Sequence, residues 1–538
     1  MPTSRKPLNR RDFLSLTAGT AAVAYLGGCS VRNSRFGAIA ESSLGPVDRA
    51  TWPELAQLAI ERVKAGGCSY GDIRLIESRN QSVSAQDRRI DDVSDSFDSG
   101  YGIRALYQGA WGFAACADFS RDAVDQTARQ AVEIARASYT LMKSPVKLAE
   151  EPIHKDRVVT AFKIDPFTVP LDEKCGLLTQ VLETLHKQDG IIRSNGHLWA
   201  QRDIKHFAST EGSAIDFDLL AVGGGFGGTA KKDSEFQSRE FSVPYVRTGY
   251  ELILDAKFAS EAPRVAAQAV EKVSARQPDP GIYDLVLDAA HLSLTIHESC
   301  GHPTELDRAL GYEANYAGTS FLTPDKLGSF KYGSPKVNLI ADNTRTGAMA
   351  STGYDDDGVA GQRWPIVEAG MFRGYSTNRE VAGAIGEKRS RGSCRADSWR
   401  SVPIVRIANV GLEPGEASFD SLFDGIKDGI YIEGRGSFSI DQKRYNFQFG
   451  GDAFWEIKNG KRGAMLKNVI YNGITPEFWN SCDAVSNKEH WKQHGFITCG
   501  KGQPGQSGWM THAASPARFR NVRVIDPKGV KLEGAASS

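Results

Sequence analysis

Residues 101–114 read YGIRALYQGAWGFA, and this stretch determines how the first half of the chain is interpreted. Two apolar runs flank Gln108-Gly109, which predicts a β-hairpin that turns at this dipeptide. A helical pattern follows at about residues 120–137, and its apolar positions recur on one side at Val124, Ala128, Ala131, Val132 and Ile134. A hairpin followed by an amphipathic helix predicts helices packed on an antiparallel sheet.

The rest of the first half repeats this combination of elements. Helical spacing predicts helices at residues 55–65, 171–187 and 261–276. Alternating or β-branched stretches predict strands that include residues 69–77 and 204–210.

The second half contains more strand and turn signals than helix signals. A strand at residues 283–288 precedes a helix from about residue 289, and further strands are predicted at residues 337–342 and 429–434. Residues 453–461 predict a hairpin, because their Asn459-Gly460 pair favours a type I′ turn. The predicted fold class is α+β. The N-terminal domain is predicted to be an antiparallel sheet with packed helices, and the C-terminal domain is predicted to be β-rich and to carry the helix that begins at about residue 289.

The length of 538 residues exceeds the roughly 250–300 residues that one hydrophobic core serves, so two or more domains are expected. The predicted division is an export signal at residues 1–29, a polar tether at 30–46, an N-terminal domain at 47–278 and a C-terminal domain at 279–538. Basic and acidic residues are equal in number, at 65 each, which argues against nucleic-acid binding driven by charge.

The N-terminus has the pattern of an export signal. A basic start precedes an uncharged apolar run at residues 13–26, which is too short to span a bilayer. Residues 9–15 read NRRDFLS and resemble a twin-arginine signal, which exports proteins that have already folded. Residues 26–29 read LGGC and resemble a lipobox, in which Cys29 would be lipidated; simple cleavage nearby is the alternative. Both interpretations predict a periplasmic protein or one on the outer face of a membrane.

Residues 297–302 read HESCGH and combine two histidines with a glutamate. Two imidazoles can hold a borderline metal such as zinc, and a carboxylate beside them can act as a general base. His297 and His302 are five positions apart, and a straight α-helix would separate them by about 140°. Gly301 and Pro303 could loosen or end the helix and let His302 turn back toward His297. The spacing alone leaves open the alternative of two surface or hydrogen-bonding histidines.

Several segments beyond this motif are similar to one known family. The HESCGH motif, GTS at residues 318–320 and DDG at residues 356–358 closely resemble the TldD side of the TldD/PmbA metallopeptidase family. Near the C-terminus, CGKGQPGQ at residues 499–506 also resembles the family. The resemblance extends over most of the chain after the export signal, and the five-position spacing of the histidines is the family's own HExxxH spacing.

The resemblance implies a zinc-dependent peptidase whose C-terminal domain is catalytic. The family's third ligand is a cysteine in a Cys-Gly-Lys context, so the implied zinc ligands are His297, His302 and Cys499. Glu298 would be the catalytic general base, which takes a proton from water and passes it to the leaving amine. The implied substrates are small or unfolded peptides.

The resemblance also implies a dimer, which is either a homodimer or a heterodimer with a sister subunit that lacks the metal motif. Two other functions are weighed against the peptidase. A non-catalytic peptide-binding lipoprotein could keep the same fold, although the complete set of histidines, glutamate and cysteine argues against it. A metal amidase could instead mature a modified peptide.

Other polar residues of the C-terminal domain have simpler explanations. Cys300 is predicted to be a buried thiol that packs the helix rather than a further ligand. His490 and His494 have the spacing of a two-imidazole site but are predicted to face solvent. Glu305 and Asp307 could orient the metal ligands, or they could make ordinary loop hydrogen bonds.

Two further motifs resemble binding loops only in part. Residues 355–358 read DDDG, but the other oxygen ligands of a calcium loop are missing, so a turn is predicted. Residues 223–228 read GGGFGG, but no Lys-Ser or Lys-Thr pair follows and a strand-to-helix setting is absent, so a phosphate loop is not predicted.

Overall fold

Eight α-helices lie within residues 48–526, the part of the chain that the computed structural model describes. They are α1 (Trp52–Ala65), α2 (Arg121–Tyr139), α3 (Leu171–Leu185), α4 (Glu251–Asp255), α5 (Phe258–Ser274), α6 (Ala289–Ile296), α7 (Leu306–Ala309) and α8 (Thr475–Asn480). The export signal and tether predicted at residues 1–46 lie outside the described residues. None of the helices within residues 48–526 combines the length and apolar character needed to cross a membrane.

Strands make up most of the remaining regular structure. They are β1 (Tyr70–Gln86), β2 (Arg89–Tyr107), β3 (Ala110–Cys116), β4 (Lys155–Val159), β5 (Ile191–Ser209), β6 (Ala214–Lys232), β7 (Glu235–Val246), β8 (Gly281–Leu287), β9 (Leu339–Asp342), β10 (Arg363–Glu368), β11 (Met371–Phe372), β12 (Cys394–Arg395), β13 (Ile404–Val405), β14 (Val410–Leu412), β15 (Asp428–Glu433), β16 (Phe438–Ile440), β17 (Asn446–Gly450), β18 (Ala453–Lys458), β19 (Lys461–Leu466), β20 (Ile470–Ile474), β21 (Cys482–Val485), β22 (Lys492–Lys501), β23 (Gln506–Ala514) and β24 (Ala517–Ile525).

The first sheet has the order β3-β2-β1-β5-β6-β4, with β7 also paired to β6. Its pairs are antiparallel except for β4 and β6. The predicted hairpin is confirmed, because β2 and β3 pair Tyr107 with Ala110. Gln108 and Gly109 form its turn with φ of 50° and 89°, which is the left-handed conformation that a tight hairpin requires.

Four helices cover this sheet. α1 and α2 pack against β1, β2 and β3, whereas α3 and α5 pack against β1, β5, β6 and β7. A Cβ atom at Gly112 of β3 would overlap the carbonyl oxygen of Ala131, so glycine lets α2 approach the sheet closely. The core under α3 and α5 is apolar and includes Leu178, Leu182 and Val265. The predicted architecture of helices on an antiparallel sheet is therefore confirmed.

The glycine run at residues 223–228 lies within β6 and leads into another strand rather than into a helix. At Gly225, a Cβ atom would lie 2.7 Å from the carbonyl oxygen of Phe241, so the glycine accommodates close strand packing. The strand-to-helix setting of a phosphate loop is thus not found at this segment.

Two sheets, of nine and six strands, make up most of the β-rich second half. One has the order β16-β17-β20-β24-β8-β15-β18-β19, with β21 paired to β24; the other has the order β11-β10-β9-β14-β23-β22. Helix α6 contacts β15 of the former and β14, β22 and β23 of the latter, and its apolar residues join the core that both sheets share. The predicted hairpin at residues 453–461 is formed by β18 and β19, and Asn459 and Gly460 have positive φ. The predicted α+β fold class is confirmed.

A group of buried charges connects the first sheet to the second half of the chain. Asp356 accepts a hydrogen bond from Lys205 at 2.6 Å, and Asp357 pairs at 2.8 Å with Arg104, which also pairs with Asp72. We call these five residues the buried charge cluster. The predicted turn at residues 355–358 supplies Asp356 and Asp357 to this cluster. The described residues from Ala50 onward belong to one compact unit. The predicted domain boundary at residues 278–279 lies between α5 and β8.

Candidate metal centre

The segment that carries the two histidines is not a regular α-helix. Residues His297–Gly301 form a π turn, which is closed by a hydrogen bond from the backbone N–H of His302 to the carbonyl of His297. A hydrogen bond that spans five residues returns the chain to the same face after five positions. The two rings therefore lie side by side, with their centroids 4.8 Å apart. A straight helix would hold the two histidines on different faces, and the widening of one turn brings them onto the same face.

Gly301 contributes to this turn through its small size. Its φ and ψ of −58° and −61° are helical, so the turn does not depend on a left-handed glycine. A Cβ atom at this position would lie 2.8 Å from Cγ2 of Ile407, which is closer than packed carbon atoms allow. Pro303 follows in a short 3₁₀ turn, His302–Thr304, where its missing N–H is tolerated.

Strand β22 brings Cys499 to the two histidines from 197 positions away. Its Sγ lies 3.6 Å from Nε2 of His302, and the candidate ligand atoms of His297, His302 and Cys499 all lie within 4.8 Å of one another. Ligand atoms around a tetrahedral zinc ion are roughly 3.3–3.8 Å apart. The structure thus brings together the three residues that were predicted as ligands, and all three are buried.

His512 fixes the proton position on His297. Nδ1 of His512 lies 3.0 Å from the carbonyl oxygen of Val410, which can only accept, so His512 donates there and its Nε2 carries a lone pair. Nδ1 of His297 lies 2.9 Å from that Nε2 and donates to it. The hydrogen bonds therefore assign the free lone pair of His297 to Nε2, as metal binding requires.

Glu305 fixes the proton position on His302. Its Oε2 lies 2.9 Å from Nδ1 of His302, which assigns the proton to Nδ1 and the lone pair to Nε2, the atom that faces Cys499. Of the two explanations considered for Glu305, ligand orientation is the one that this contact supports. Asp307 instead accepts hydrogen bonds at 2.6 and 2.8 Å from Lys501, whose Nζ also lies 3.2 Å from Oε1 of Glu305.

Burial keeps the imidazoles neutral. It lowers the pKa of His297 well below its usual value and lowers the pKa of His302 to about 3. Neutral imidazole is the form that binds a metal. Burial also raises the pKa of Cys499 to about 11, against the opposing charge of Arg406, so a bound metal must displace the thiol proton.

Glu298 lies on the π turn next to His297 and is 4% exposed. Burial raises its pKa above the usual range of a glutamate, although the nearby charges of Arg444 and Arg308 oppose this shift. A raised pKa suits a carboxyl group that takes up and returns a proton near neutral pH. Arg444 forms an ion pair with Glu298 from the turn between β16 and β17, where its own φ is 64°. Like Gln108, Arg444 has the left-handed conformation of a hairpin-turn residue.

Three contributors to the centre were missed from the sequence. His512 lies within the buried stretch 510–514 of β23, and a histidine inside an apolar strand is a signal that could have been read. Lys501 follows Cys499 by two positions, so the alternation of a strand places both side chains on one face. Arg444 reaches Glu298 from a hairpin that is distant in sequence, so no local sequence pattern predicts this contact.

Two other predictions concern residues near the centre. Cys300 is fully buried in the apolar core beside the site, as predicted. The prediction that His490 and His494 face solvent holds only in part, because both are half-buried. His490 packs against Phe419, with ring centroids 4.9 Å apart, and Nε2 of His494 is shielded from solvent. For His494 the reason is that β7 of the first sheet covers β22, which the local sequence does not reveal.

The donor set fits a catalytic zinc ion. Two neutral imidazoles and one thiol supply three ligands, and catalytic zinc sites keep a further position open for water or substrate. Within residues 48–526, this is the one group of three or more histidine, cysteine or acidic side chains whose donor atoms converge in this way. Each imidazole already has an oriented partner on its other nitrogen, which is typical of built metal sites.

Comparison with protein families identifies metallopeptidase domains in both halves of the chain. A model described as PmbA/TldA metallopeptidase domain 1 matches residues 71–135, and one described as the PmbA/TldA metallopeptidase C-terminal domain matches residues 280–524. The two matches together include more than half of the chain, and the second contains the three candidate ligands.

Relatives and solved structures agree with these matches. A metalloprotease of Methanocaldococcus jannaschii is 28% identical over 441 residues, which are 81% of this chain and 93% of the relative. A zinc metalloprotease TldD homolog of Saccharolobus solfataricus is 24% identical over 487 residues, which are 86% of this chain and 98% of the relative. The structure of TldE from Thermococcus kodakarensis has the same fold, with a TM-score of 0.66 and 17% identity over 87% of this chain and 100% of that chain. The chain is therefore a metallopeptidase and belongs to the TldD/PmbA family.

Proposed function

We propose that this metallopeptidase uses zinc, held by His297, His302 and Cys499, to hydrolyse peptide bonds in small or unfolded peptides. The observation that carries the proposal is the orientation of the two imidazoles. Each donates its Nδ1 proton to a buried acceptor and directs its Nε2 toward the same region as the cysteine sulfur. Zinc is named for the relative from Saccharolobus solfataricus, and the donor set suits the same metal here.

Zinc at this site would supply Lewis-acid chemistry, since it lowers the pKa of a water ligand and polarises a carbonyl group. The protein supplies the proton transfers. Glu298 takes the proton of the attacking water and returns it to the leaving amine, and burial has raised its pKa toward the range in which both transfers occur. Arg444 holds this carboxylate in place, so the base is oriented before the substrate arrives.

Replacement of Glu298 tests the proposal most directly. Glu298→Gln keeps the size of the side chain but removes the base, so peptide cleavage should fall by about 10²–10⁴-fold. Zinc content, measured by mass spectrometry of the metal, should stay at the parent's level. The matched control is Glu380→Gln, because burial also raises the pKa of Glu380 although it contacts Trp111 rather than the metal centre. Parent-like cleavage by Glu298→Gln would remove the glutamate from the mechanism.

The rival functions make different predictions. A non-catalytic peptide-binding protein is not favoured, because the relatives are named metalloproteases and the candidate ligands converge. A metal amidase that matures a modified peptide would release a different product. Mass spectrometry of digests of plain peptides and of acylated amides separates amidase from peptidase activity.

We also propose that the chain works as a dimer, either with a second copy or with a sister subunit that lacks the metal motif. The similarity of its fold to TldE supports the search for such a subunit. Light scattering of the chain alone, and after mixing with a candidate sister subunit, distinguishes the two assemblies.

The proposed location is the periplasm or the outer face of a membrane, reached by the twin-arginine route. Residues 9–15 and Cys29 support this proposal by their sequence alone. The mass of the mature N-terminus separates a lipidated Cys29 from simple cleavage. A mature chain that keeps Arg10 and Arg11 in the cytoplasm would contradict export.

A further inference from the structure

A cavity of about 320 Å³ lies between the first sheet and the second half of the chain. Strands β1, β5 and β6 form one wall, and segments around Met349, Arg395 and Trp509 form the other. None of the three candidate metal ligands lines this cavity, and neither does Glu298. It is therefore a separate feature from the metal centre.

Three arginines line the cavity, and their guanidinium groups are incompletely paired. Nη1 of Arg247, Nε of Arg395 and Nε of Arg406 are enclosed by protein and have no hydrogen-bond partner, so they do not themselves open onto the cavity. Arg406 is 1% exposed, and the other two are half-buried. None of the three forms an ion pair within residues 48–526.

The hydrogen bonds that these arginines do make go to neutral backbone carbonyls. Arg247 donates from Nε to Met349 at 2.9 Å, and Arg395 donates from Nη1 to Trp509 at 2.8 Å. Arg406 donates from Nη1 to the carbonyl of Gln506 at 3.1 Å. These contacts fix the positions of the guanidinium groups but leave their positive charges without a direct negative partner.

Four carboxyl groups also line the cavity, but each is already engaged by other donors. Asp203 accepts from Ser78 and Gln201, and Asp397 accepts from Ser401 and the backbone of Ser507. The remaining two lie in the turn at residues 355–358. Asp356 accepts from Lys205 at 2.6 Å and from the backbone of Ala396, and Asp355 accepts from three backbone N–H groups.

The cavity lining contains four cationic side chains, the three arginines and Lys205, and four carboxyl groups, but only Lys205 forms a direct ion pair with one of them. Burial, together with repulsion from Asp357, raises the pKa of Asp355 well above its usual value, so this carboxyl group is the weakest counter-charge. Burial also lowers the pKa of Arg247 and of Arg395 to about 10, which shows how poorly their charges are compensated. A negative group bound between them would restore the balance.

We propose that this cavity binds a small organic carboxylate, held by Arg247 and Arg395, the two arginines that are only half-buried, while the buried Arg406 adds its positive charge. Guanidinium groups offer paired N–H donors whose geometry matches a carboxylate. The apolar body of the ligand would contact Leu219, Met349 and the other apolar residues of the lining. The volume is at the lower end of the range for small-molecule sites, which suits a ligand of a few carbon atoms or one C-terminal residue of a peptide.

The site also contacts the metal centre through one residue. Arg406 donates from Nη2 to the carbonyl oxygen of Cys499, the candidate sulfur ligand. Even so, carboxylate binding does not depend on the proposed peptidase reaction, and it is measured with ligands that contain no peptide bond.

The test compares 4-methylpentanoate with its neutral amide, 4-methylpentanamide, by calorimetric titration of the full zinc-loaded chain. The acid should bind saturably, and the amide should bind at least about tenfold more weakly, because it lacks the charge that the guanidinium groups recognise. This comparison uses the unaltered protein, so it does not depend on whether any variant folds.

Variants then locate the site. Arg247→Gln and Arg395→Gln should each weaken acid binding at least about tenfold. Arg345→Gln should leave it unchanged, because Arg345 also has a shielded, unpartnered Nη1 but lies outside the cavity near Asp342 and Glu413. Near-ultraviolet circular dichroism verifies that each variant is folded.

The remaining arms identify the source of the carboxylate and can overturn the proposal. Stronger binding of the tripeptide Ala-Ala-Leu than of the free acid, measured in the Glu298→Gln chain, would support a peptide C-terminus as the ligand; the reverse order would support a free organic acid. The proposal is overturned if acid and amide bind equally, if neither the acid nor the tripeptide binds, or if inorganic phosphate displaces the acid with the same arginine dependence.

Discussion

The metal centre and the buried charge cluster both place polar side chains in the interior of this protein, but they satisfy them differently. In the charge cluster, Arg104 lies between Asp72 and Asp357, and Lys205 pairs with Asp356. In the metal centre, the two ligand imidazoles each have a hydrogen-bond partner on one nitrogen only. The imidazoles donate outward, and their remaining lone pairs converge with the sulfur on one region.

The difference separates a structural group of polar residues from a functional one. A buried charge is tolerated when an opposite charge and hydrogen bonds compensate it, and a compensated cluster has no capacity left for a ligand. Neutral donors that are oriented yet unsatisfied leave that capacity open. The comparison predicts that substitutions in the cluster alter stability, whereas substitutions in the centre alter metal binding.

Removal of the sulfur ligand should have the largest effect. Cys499→Ser should weaken zinc binding by at least about a thousandfold, well beyond the 10–100-fold expected from an outer partner of a ligand. Competition with a chelating dye measures the affinity. Cys482→Ser is the matched control, because Cys482 is also buried but is not one of the converging donors. A Cys499→Ser chain with parent-like zinc affinity would exclude the cysteine as a ligand.

Removal of a cation from the charge cluster should instead destabilise the fold. Arg104→Met leaves Asp72 and Asp357 without their shared partner, and the free energy of unfolding should fall by about 3–5 kcal/mol. Arg400→Met removes an exposed pair with Asp98 at 2.8 Å and should change the free energy of unfolding by less than about 1 kcal/mol. Urea titration measures both. Equal effects of the two substitutions would show that burial of the cluster contributes nothing.

His291 tests what burial does to a histidine of the same helix that is not a predicted ligand. Its Nδ1 donates to the carbonyl of Gly434 and its Nε2 accepts from the hydroxyl of Tyr471, and burial lowers its pKa to about 4. The unfolded chain takes up this proton near pH 6.5, so stability should decrease as the pH falls from 6.5 to 4, by about 3 kcal/mol from this residue. In His291→Gln, that part of the loss should disappear from urea titrations at pH 7 and pH 4. An unchanged pH dependence would contradict the assignment.

The smallest expected effect comes from the residue that orients a ligand. His512→Phe keeps a ring beside His297 but removes its acceptor, and zinc affinity should fall by about 10–100-fold. His512→Gln restores a group that can accept the proton of His297 and should recover part of the loss. If both variants bind zinc equally well, the hydrogen bond does not position His297.

Local patterns predicted much of the fold and part of the site. Neighbouring residues determine the hairpin at Gln108-Gly109 and the helix after it, so both could be predicted from the local sequence. His297, Glu298 and His302 are close in sequence and were recognised by their chemistry. Cys499 required a family resemblance, because no local rule connects residues 197 positions apart.

The remaining features depend on long-range packing. His494 was predicted to face solvent because the family resemblance assigns it no role, but β7 covers its strand in the folded chain. Arg444 reaches Glu298 only because a distant hairpin folds over the π turn. The cavity with three incompletely paired arginines likewise arises where the first sheet meets the second half of the chain.

The π turn at His297–Gly301 also affects how such chains are recognised by alignment. A π turn contains one residue more than an α-helical turn, so the HExxxH spacing is related to the more familiar HExxH spacing by a single inserted residue. The widened turn absorbs that residue locally, between α6 and the 3₁₀ turn at His302–Thr304. A search pattern that requires the second histidine four positions after the first would discard this protein, although the geometry that it seeks is present.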